Sequence, residues 1–192
     1  MKRLPTYALT FALFLAACGG GRPQSTPTGL PPMDACLLLL PREAEEAAGG
    51  IELDTVAAPL DARVGDRSAK CSFGISLDGQ LRVVSVEARR ADSADEMRAI
   101  FERAKTSLTR IVRSPLVPVP EVGEEAVWAT GKLFQLHARA ERYHVIVTLE
   151  FGDEGDRALR ASRIATAALE RLKGNSTAAS PPGTVVVVPE GE

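Results

Sequence analysis

Alternating apolar and polar positions predict a β-hairpin in the first half of the chain. Residues 71–77 alternate between larger apolar side chains and serine or glycine, and this period of two is expected of a half-buried strand. Asp78-Gly79 follows, a residue pair typical of tight hairpin turns, and residues 80–88 run back as the second strand. The pattern therefore predicts two antiparallel neighbours joined by a short turn.

The second half of the chain contains three more segments with strand patterns. They cover residues 126–130, 132–139 and 143–151, and the last has the clearest alternation in the chain. A weaker strand is predicted at residues 51–58. Short connections between these segments indicate hairpins rather than helical crossovers.

Apolar positions spaced by three and four predict helices before, between and after the two groups of strands. Ser93-Ala94-Asp95-Glu96 is a capping box, and the apolar stripe behind it continues to Ile111. A second amphipathic helix is predicted at residues 156–172, and two short helical pieces at residues 34–40 and 41–50.

The predicted order is helix, three strands, helix, three strands, helix. Strands grouped in runs rather than alternating with helices favour an antiparallel sheet. The sequence therefore predicts an α+β fold, with an antiparallel sheet of about five to six strands and two to three helices packed on one face.

The N-terminus has the pattern of a bacterial lipoprotein signal. A positive start is followed by an apolar run at residues 7–17, which is too short to span a bilayer as a helix. Leu15-Ala16-Ala17-Cys18 then resembles the lipobox, in which a diacylglycerol group is attached to the cysteine thiol and the leader is cut before it. An ordinary secretory signal preceding a cysteine is the alternative. Lipidation at Cys18 predicts a membrane-anchored envelope protein.

Known lipoprotein sorting refines the expected location. Gly19, and not aspartate, follows the cysteine, and by resemblance this favours the outer membrane, on its periplasmic or surface face, if the cell has two membranes. In a cell with one membrane, the expected location is the outer face of the cytoplasmic membrane.

Composition divides the chain into four parts. Residues 1–17 form the signal peptide, and residues 18–33, rich in glycine and proline, read as a flexible tether. Residues 34–173 form the α+β domain, and residues 174–192 a flexible tail. Within the tail, Val185 to Val188 either adds to a sheet edge or stays unstructured.

Charge and cysteine content exclude several function classes. The chain has a net charge of −2, which becomes −4 without Lys2 and Arg3 of the leader. This mildly acidic balance argues against nucleic-acid binding. Three cysteines and two histidines exclude iron–sulfur clusters and zinc ribbons, and no cofactor is expected.

With Cys18 acylated, Cys36 and Cys71 remain as an even pair in an oxidising compartment. Cys36 stands at the start of the first helical piece, and Cys71 lies on the side of its strand that is expected to face the core. A disulfide joining helix to sheet is predicted. Two buried free thiols are the alternative.

Several short motifs resemble a domain of unknown function that recurs in lipoproteins of actinobacteria and other high-GC bacteria. They are Asp34-Ala35-Cys36-Leu37-Leu38-Leu39, Glu43, Gly49, Cys71-Ser72-Phe73 and Gly123-Glu124-Glu125-Ala126-Val127-Trp128. The similarity covers nearly all of residues 34–172. It implies a disulfide-clasped α+β domain, similar to the PsbP/Mog1-like fold, and no assigned chemistry.

Few residues suggest catalytic or metal chemistry. There is no Gly-x-Ser-x-Gly motif and no phosphate-binding loop in the domain. His137 and His144 flank a predicted turn and are expected on the exposed, polar face of one hairpin, where Gln135 and Glu150 also point. Two imidazoles and the Glu150 carboxylate could hold Zn²⁺, although two histidines on exposed strand positions also arise by chance.

Trp128 is the remaining candidate for a binding site. Together with Phe134 and Tyr143, it either lines a small apolar pocket between sheet and helices or fills the core.

Two classes of function are distinguished, and a purely structural role in envelope maintenance would have the same sequence features as the first. The first is a non-enzymatic domain that binds an envelope protein partner or a small apolar ligand near the membrane, and the second is an enzyme with a dispersed site. A concave pocket with convergent carboxylates or His137 would favour the enzyme. A flat polar face with an exposed apolar patch would favour the binding domain.

Overall fold

The computed structural model describes residues 33–53, 67–77, 79–131 and 133–178. The predicted signal peptide, the predicted acylation site Cys18 and Val185 to Val188 lie outside the described residues. So do all but the last residue of the tether and most of the predicted strand at 51–58, whose first three residues have no regular structure. None of the described helices is both long enough and apolar enough to cross a membrane.

In the described part of the chain there are six strands and three helices, preceded by a 3-10 turn at Ala35–Leu37. In chain order the elements are α1 (Pro41–Ala47), β1 (Ser68–Leu77), β2 (Gln80–Arg90), α2 (Ala94–Val112), β3 (Val117–Pro118), β4 (Glu125–Ala129), β5 (Gln135–Ala140), β6 (Tyr143–Leu149) and α3 (Glu154–Ala178).

The six strands form one antiparallel sheet in the order β1-β2-β6-β5-β4-β3. The predicted α+β class and strand number are therefore confirmed. The predicted hairpin is also confirmed, because β1 and β2 pair along their length and Leu77 lies opposite Gln80 across a two-residue turn.

The helices lie on both faces of the sheet, so the expectation that they share one face is wrong. Val86, Leu136 and Val147 point to one face, the core face, and pack in one cluster with apolar residues of α1 and α3. On the opposite face, the α2 face, the Phe101 ring of α2 contacts His144, and Lys105 bonds to Glu125.

The physical reason for this difference is the double burial of β5 and β6. Every residue of β5 except Gln135 and every residue of β6 except Thr148 is buried. In a strand with an alternating pattern, the polar positions are exposed only where no helix packs over them. Here the apolar stripe of α2, which includes Met97, Phe101 and Leu108, covers them.

The predicted capping box begins α2 with one difference in its partners. The Ser93 hydroxyl accepts a hydrogen bond from the Glu96 amide at 3.1 Å, and the Glu96 carboxylate accepts one from the Asp92 amide at 2.8 Å. The Ser93 side chain thus satisfies one free amide group of the helix start, and the Glu96 side chain binds the residue that precedes the N-cap. The helix ends at Arg113 in the left-handed conformation, with φ of 56°.

The predicted disulfide is present between Cys36 and Cys71, whose Cα atoms are 5.0 Å apart. It attaches the 3-10 turn to β1 on the core face. Arg171 of α3 binds the Glu43 carboxylate through two nitrogens and donates to the Leu38 carbonyl at 2.9 Å. The N-terminal segment is therefore bound both to the sheet and to α3.

Replacing both cysteines by alanine is expected to lower the free energy of unfolding by about 3 to 4 kcal/mol. The disulfide spans 35 residues, and closing a loop of this size removes that much conformational entropy from the unfolded chain. Urea denaturation of the wild type and the Cys36→Ala/Cys71→Ala variant measures the difference. An intact mass that does not increase on reduction would contradict the disulfide itself.

Candidate functional site

A cleft of about 440 Å³ lies between α2 and the α2 face of the sheet. One wall belongs to the helix: Ile100, Arg103, Ala104, Ser107, Leu108 and Ile111. The sheet contributes Lys70, Ser85, Glu87, Arg89, Gln135, His137, Ile146 and Thr148. The volume is in the range of small-molecule sites.

The position of α2 explains why the cleft is there. The helix packs against β4, β5 and β6, so the β1 and β2 part of the same face extends beyond it. Ala104 and Ser107 face this space with short side chains. Ile111 also borders it, and it remains 63% exposed although it belongs to the apolar stripe.

The strand register brings the two histidines together. His137 lies opposite Ile146, and Arg139 lies opposite His144, in the β5–β6 hairpin. The histidines are thus diagonal neighbours on the α2 face, with His137 Nδ1 at 3.2 Å from His144 Nε2. The prediction that they share a hairpin face is confirmed. The expectation of exposure is wrong, because His137 is 5% and His144 0% exposed beneath α2.

The surrounding groups define the tautomers of both rings. The Gln135 amide nitrogen donates to Thr148 Oγ1 at 3.2 Å, which leaves Gln135 Oε1 as the acceptor for His137 Nε2 at 3.3 Å. A neutral imidazole has one N–H, so His137 Nδ1 accepts from His144 Nε2. His144 Nδ1 then has a lone pair, and this buried atom has no hydrogen-bond partner among the described residues.

Burial keeps both imidazoles neutral. It lowers the pKa of His137 to about 4, with a further contribution from the Arg89 charge. It lowers the pKa of His144 to about 3, helped by His137 and Arg89. Both rings are therefore uncharged at neutral pH, each with a single N–H.

An ion-pair network borders the histidines on the α2 face. The Arg139 guanidinium, largely buried, binds the carboxylates of Glu124 and Glu125, and Lys105 of α2 also binds Glu125. These cations hold the pKa of Glu125 below its usual value, the Lys105 hydrogen bond being the largest contribution. Glu125 of β4 thus joins the sheet to α2 through Lys105, and it also binds Arg139 of the neighbouring strand β5.

Glu150 does not join the histidine pair, contrary to the sequence expectation. Its carboxylate accepts the Val83 amide at 2.8 Å, beyond the end of β6. Within the described ranges, no group of three histidine, cysteine, aspartate or glutamate residues could hold a metal ion. The zinc site considered from the sequence therefore lacks its carboxylate ligand.

Trp128 lies on the core face and is nearly completely buried in the main cluster, together with Tyr143. Phe134 packs against the same cluster, and Arg157 of α3 covers its ring at 3.9 Å. Trp128 therefore has the core-filling role, and it does not line the cleft.

Sequence reasoning found His137 but missed most of the cleft. Ser85, Glu87 and Arg89 are polar at alternate positions of β2, which is the signal for one shared face. Arg103 interrupts the stripe of α2 close to Ile100 and Ala104. Only the placement of α2 against this face shows that the two sets of residues meet.

Comparison with known proteins identifies no relative. No family model, no curated protein and no solved structure matches the chain. The resemblance to lipoprotein domains of unknown function therefore stays a prediction.

The buried histidines are expected to make stability fall with acidification. The unfolded chain takes up protons near pH 6.5, whereas the folded pair resists them down to about pH 4 and pH 3. The stability that the neutral pair contributes is therefore complete above pH 6.5, and about 2 kcal/mol for each histidine is lost by pH 5. Urea denaturation at pH 7, 6 and 5 measures the loss.

His137→Gln is the matched variant for this measurement, because it removes one titrating group and keeps a polar side chain. The loss between pH 7 and pH 5 is expected to shrink by about half. A wild-type stability that stays constant over this range would contradict the neutral buried pair.

Proposed function

We propose that this chain is a membrane-anchored lipoprotein of the cell envelope whose domain binds a small apolar ligand and is not an enzyme. The Leu15-Ala16-Ala17-Cys18 pattern supports the anchor. The cleft between α2 and the sheet supports the ligand, and it is the observation that carries the proposal.

The shape of the cleft favours a small ligand over a protein partner. Its apolar surface is recessed between two walls, with Leu108 and Ile146 buried and Ile100 half-buried. Protein interfaces usually offer a broader and flatter apolar patch. An envelope protein partner is therefore the less favoured occupant of this site.

An enzyme remains the second candidate, because His137 lines the cleft and a pocket containing this residue is the expected mark of that class. A general base needs a free lone pair that faces the substrate. The lone pair of His137 Nδ1 faces His144 Nε2, and its Nε2 faces Gln135. Both ring nitrogens of His137 are engaged in hydrogen bonds, and its pKa is about 4. This imidazole is therefore better suited to a structural role than to proton transfer.

Filling the cleft is expected to abolish ligand binding. Decanol is a suitable probe, and in the Cys18→Ser chain it is expected to shift the amide NMR signals of cleft residues until saturation. Ala104→Trp places an indole in the cleft and is expected to remove these shifts. Ala99→Trp is the control, because Ala99 is exposed on α2 and does not line the cleft.

Two results would contradict the ligand site. One is the absence of saturable shifts in the wild type, and the other is equal binding by the Ala104→Trp and Ala99→Trp variants. Turnover of an added ester or amide that is lost in His137→Gln, with folding retained, would favour the enzyme.

The anchor has its own test. Cells grown with labelled palmitate are expected to incorporate the label into the wild-type chain, and the Cys18→Ser variant is expected to remain unlabelled. Acylation uses the thiol of this residue. Label that persists in the variant would contradict lipidation at Cys18.

A further inference from the structure

The charges that line the cleft are mostly positive. Lys70 on β1, Arg89 on β2 and Arg103 on α2 contribute cations, and among the described lining residues only Glu87 contributes a carboxylate. Arg89 already binds Glu87 at 2.7 Å. No ion pair involves Lys70 or Arg103 in the part of the chain that the structure describes. Two cations without an ion-pair partner in these ranges therefore border the site.

These cations stand on different walls. Lys70 belongs to the sheet and lies directly opposite Glu87 in the β1–β2 register, whereas Arg103 belongs to the helix. An anion in the cleft would be attracted from both sides, and a cation would be repelled from both. The neutral hydroxyls of Ser85 and Thr148 add donors without changing the charge.

The apolar part of the lining lies mainly on α2. Ile100, Leu108 and Ile111 follow one another along the same side of α2, and Ile146 faces them from the sheet. Ile111 is a large apolar side chain left in contact with water. An alkyl chain along this stripe would bury it, which is favourable by about 25 cal/mol for each Å² removed from water.

From this combination we propose that the ligand is a single-chain amphiphile with an anionic head group, held between Lys70 and Arg103 with its alkyl chain along Ile100, Leu108 and Ile111. The proposal rests on the ligand-binding function proposed above and names the class of its ligand. A volume of about 440 Å³ is near the lower end of ligand sites, which suits one chain rather than two.

Four probes that share an alkyl chain of the same length and differ in their head group test this proposal. Decanoate, decyl phosphate, decanol and decyltrimethylammonium are titrated below their micelle concentrations into the Cys18→Ser chain, and affinities are taken from calorimetry or amide shifts. Decanoate and decyl phosphate are expected to bind at least about ten times more tightly than decanol. Decyltrimethylammonium is expected to bind more weakly than decanol, and the ranking of the two anions distinguishes a carboxylate from a phosphate head.

Two variants assign the head-group contact. Lys70→Gln and Arg103→Gln are each expected to weaken decanoate binding by about five-fold, the effect of one partly exposed ion pair, and to leave decanol binding unchanged. Arg98→Gln is the matched control, because it removes the same charge from α2 outside the cleft, where Arg98 pairs with Asp95. Higher salt is expected to weaken decanoate binding and not decanol binding.

The outcomes separate the two proposals. If decanol binds as tightly as decanoate, and Ala104→Trp abolishes both, the ligand site stands and the anionic head group is wrong. Equal losses in Arg98→Gln and Arg103→Gln would also overturn it, because the effect would then be net charge alone. If no probe binds, the ligand-binding function itself fails.

Discussion

The structure depends on burying the β5–β6 hairpin from both sides. Valine and leucine side chains of β6 face α3, while His144 and Ile146 face α2. These are the two central strands of the sheet, paired on their outer sides with β2 and β4, and the helices on the two faces bury the side chains that the strands present in either direction. The desolvated histidine pair, the placement of α2 and the cleft beside that helix all follow from this arrangement.

Polar groups beneath α2 are tolerated because almost all of them bond to one another. Thr148, Gln135, His137 and His144 form a chain of hydrogen bonds in which each ring has a defined tautomer. A neutral imidazole accepts one hydrogen bond and donates one. Burying the neutral pair therefore costs much less free energy than burying two charges would. The remaining cost comes from the lone pair on His144 Nδ1, which has no hydrogen-bond partner among the described residues.

Elements defined by local patterns were predictable from the sequence. The Asp78-Gly79 turn and the Ser93 cap depend on neighbouring residues. The Cys36–Cys71 pair was predictable because these two cysteines remain once Cys18 is assigned to acylation. The second covered face was not predictable, because alternation shows which residues share a side and not what covers that side. For the same reason the sequence placed His137 and His144 in solvent. Glu150 was misplaced because it follows β6, where the alternation no longer applies.

The disulfide also determines how the domain would respond to a mechanical load. Cys36 is three residues beyond Met33, where the described chain begins, and its partner Cys71 lies within a ten-residue strand of the sheet. A pull applied upstream of Met33 would therefore pass through a covalent bond into β1. The helices α1 and α3 would be bypassed, and tension on the N-terminus would reach the hydrogen-bonded sheet without first unravelling the segment that precedes it.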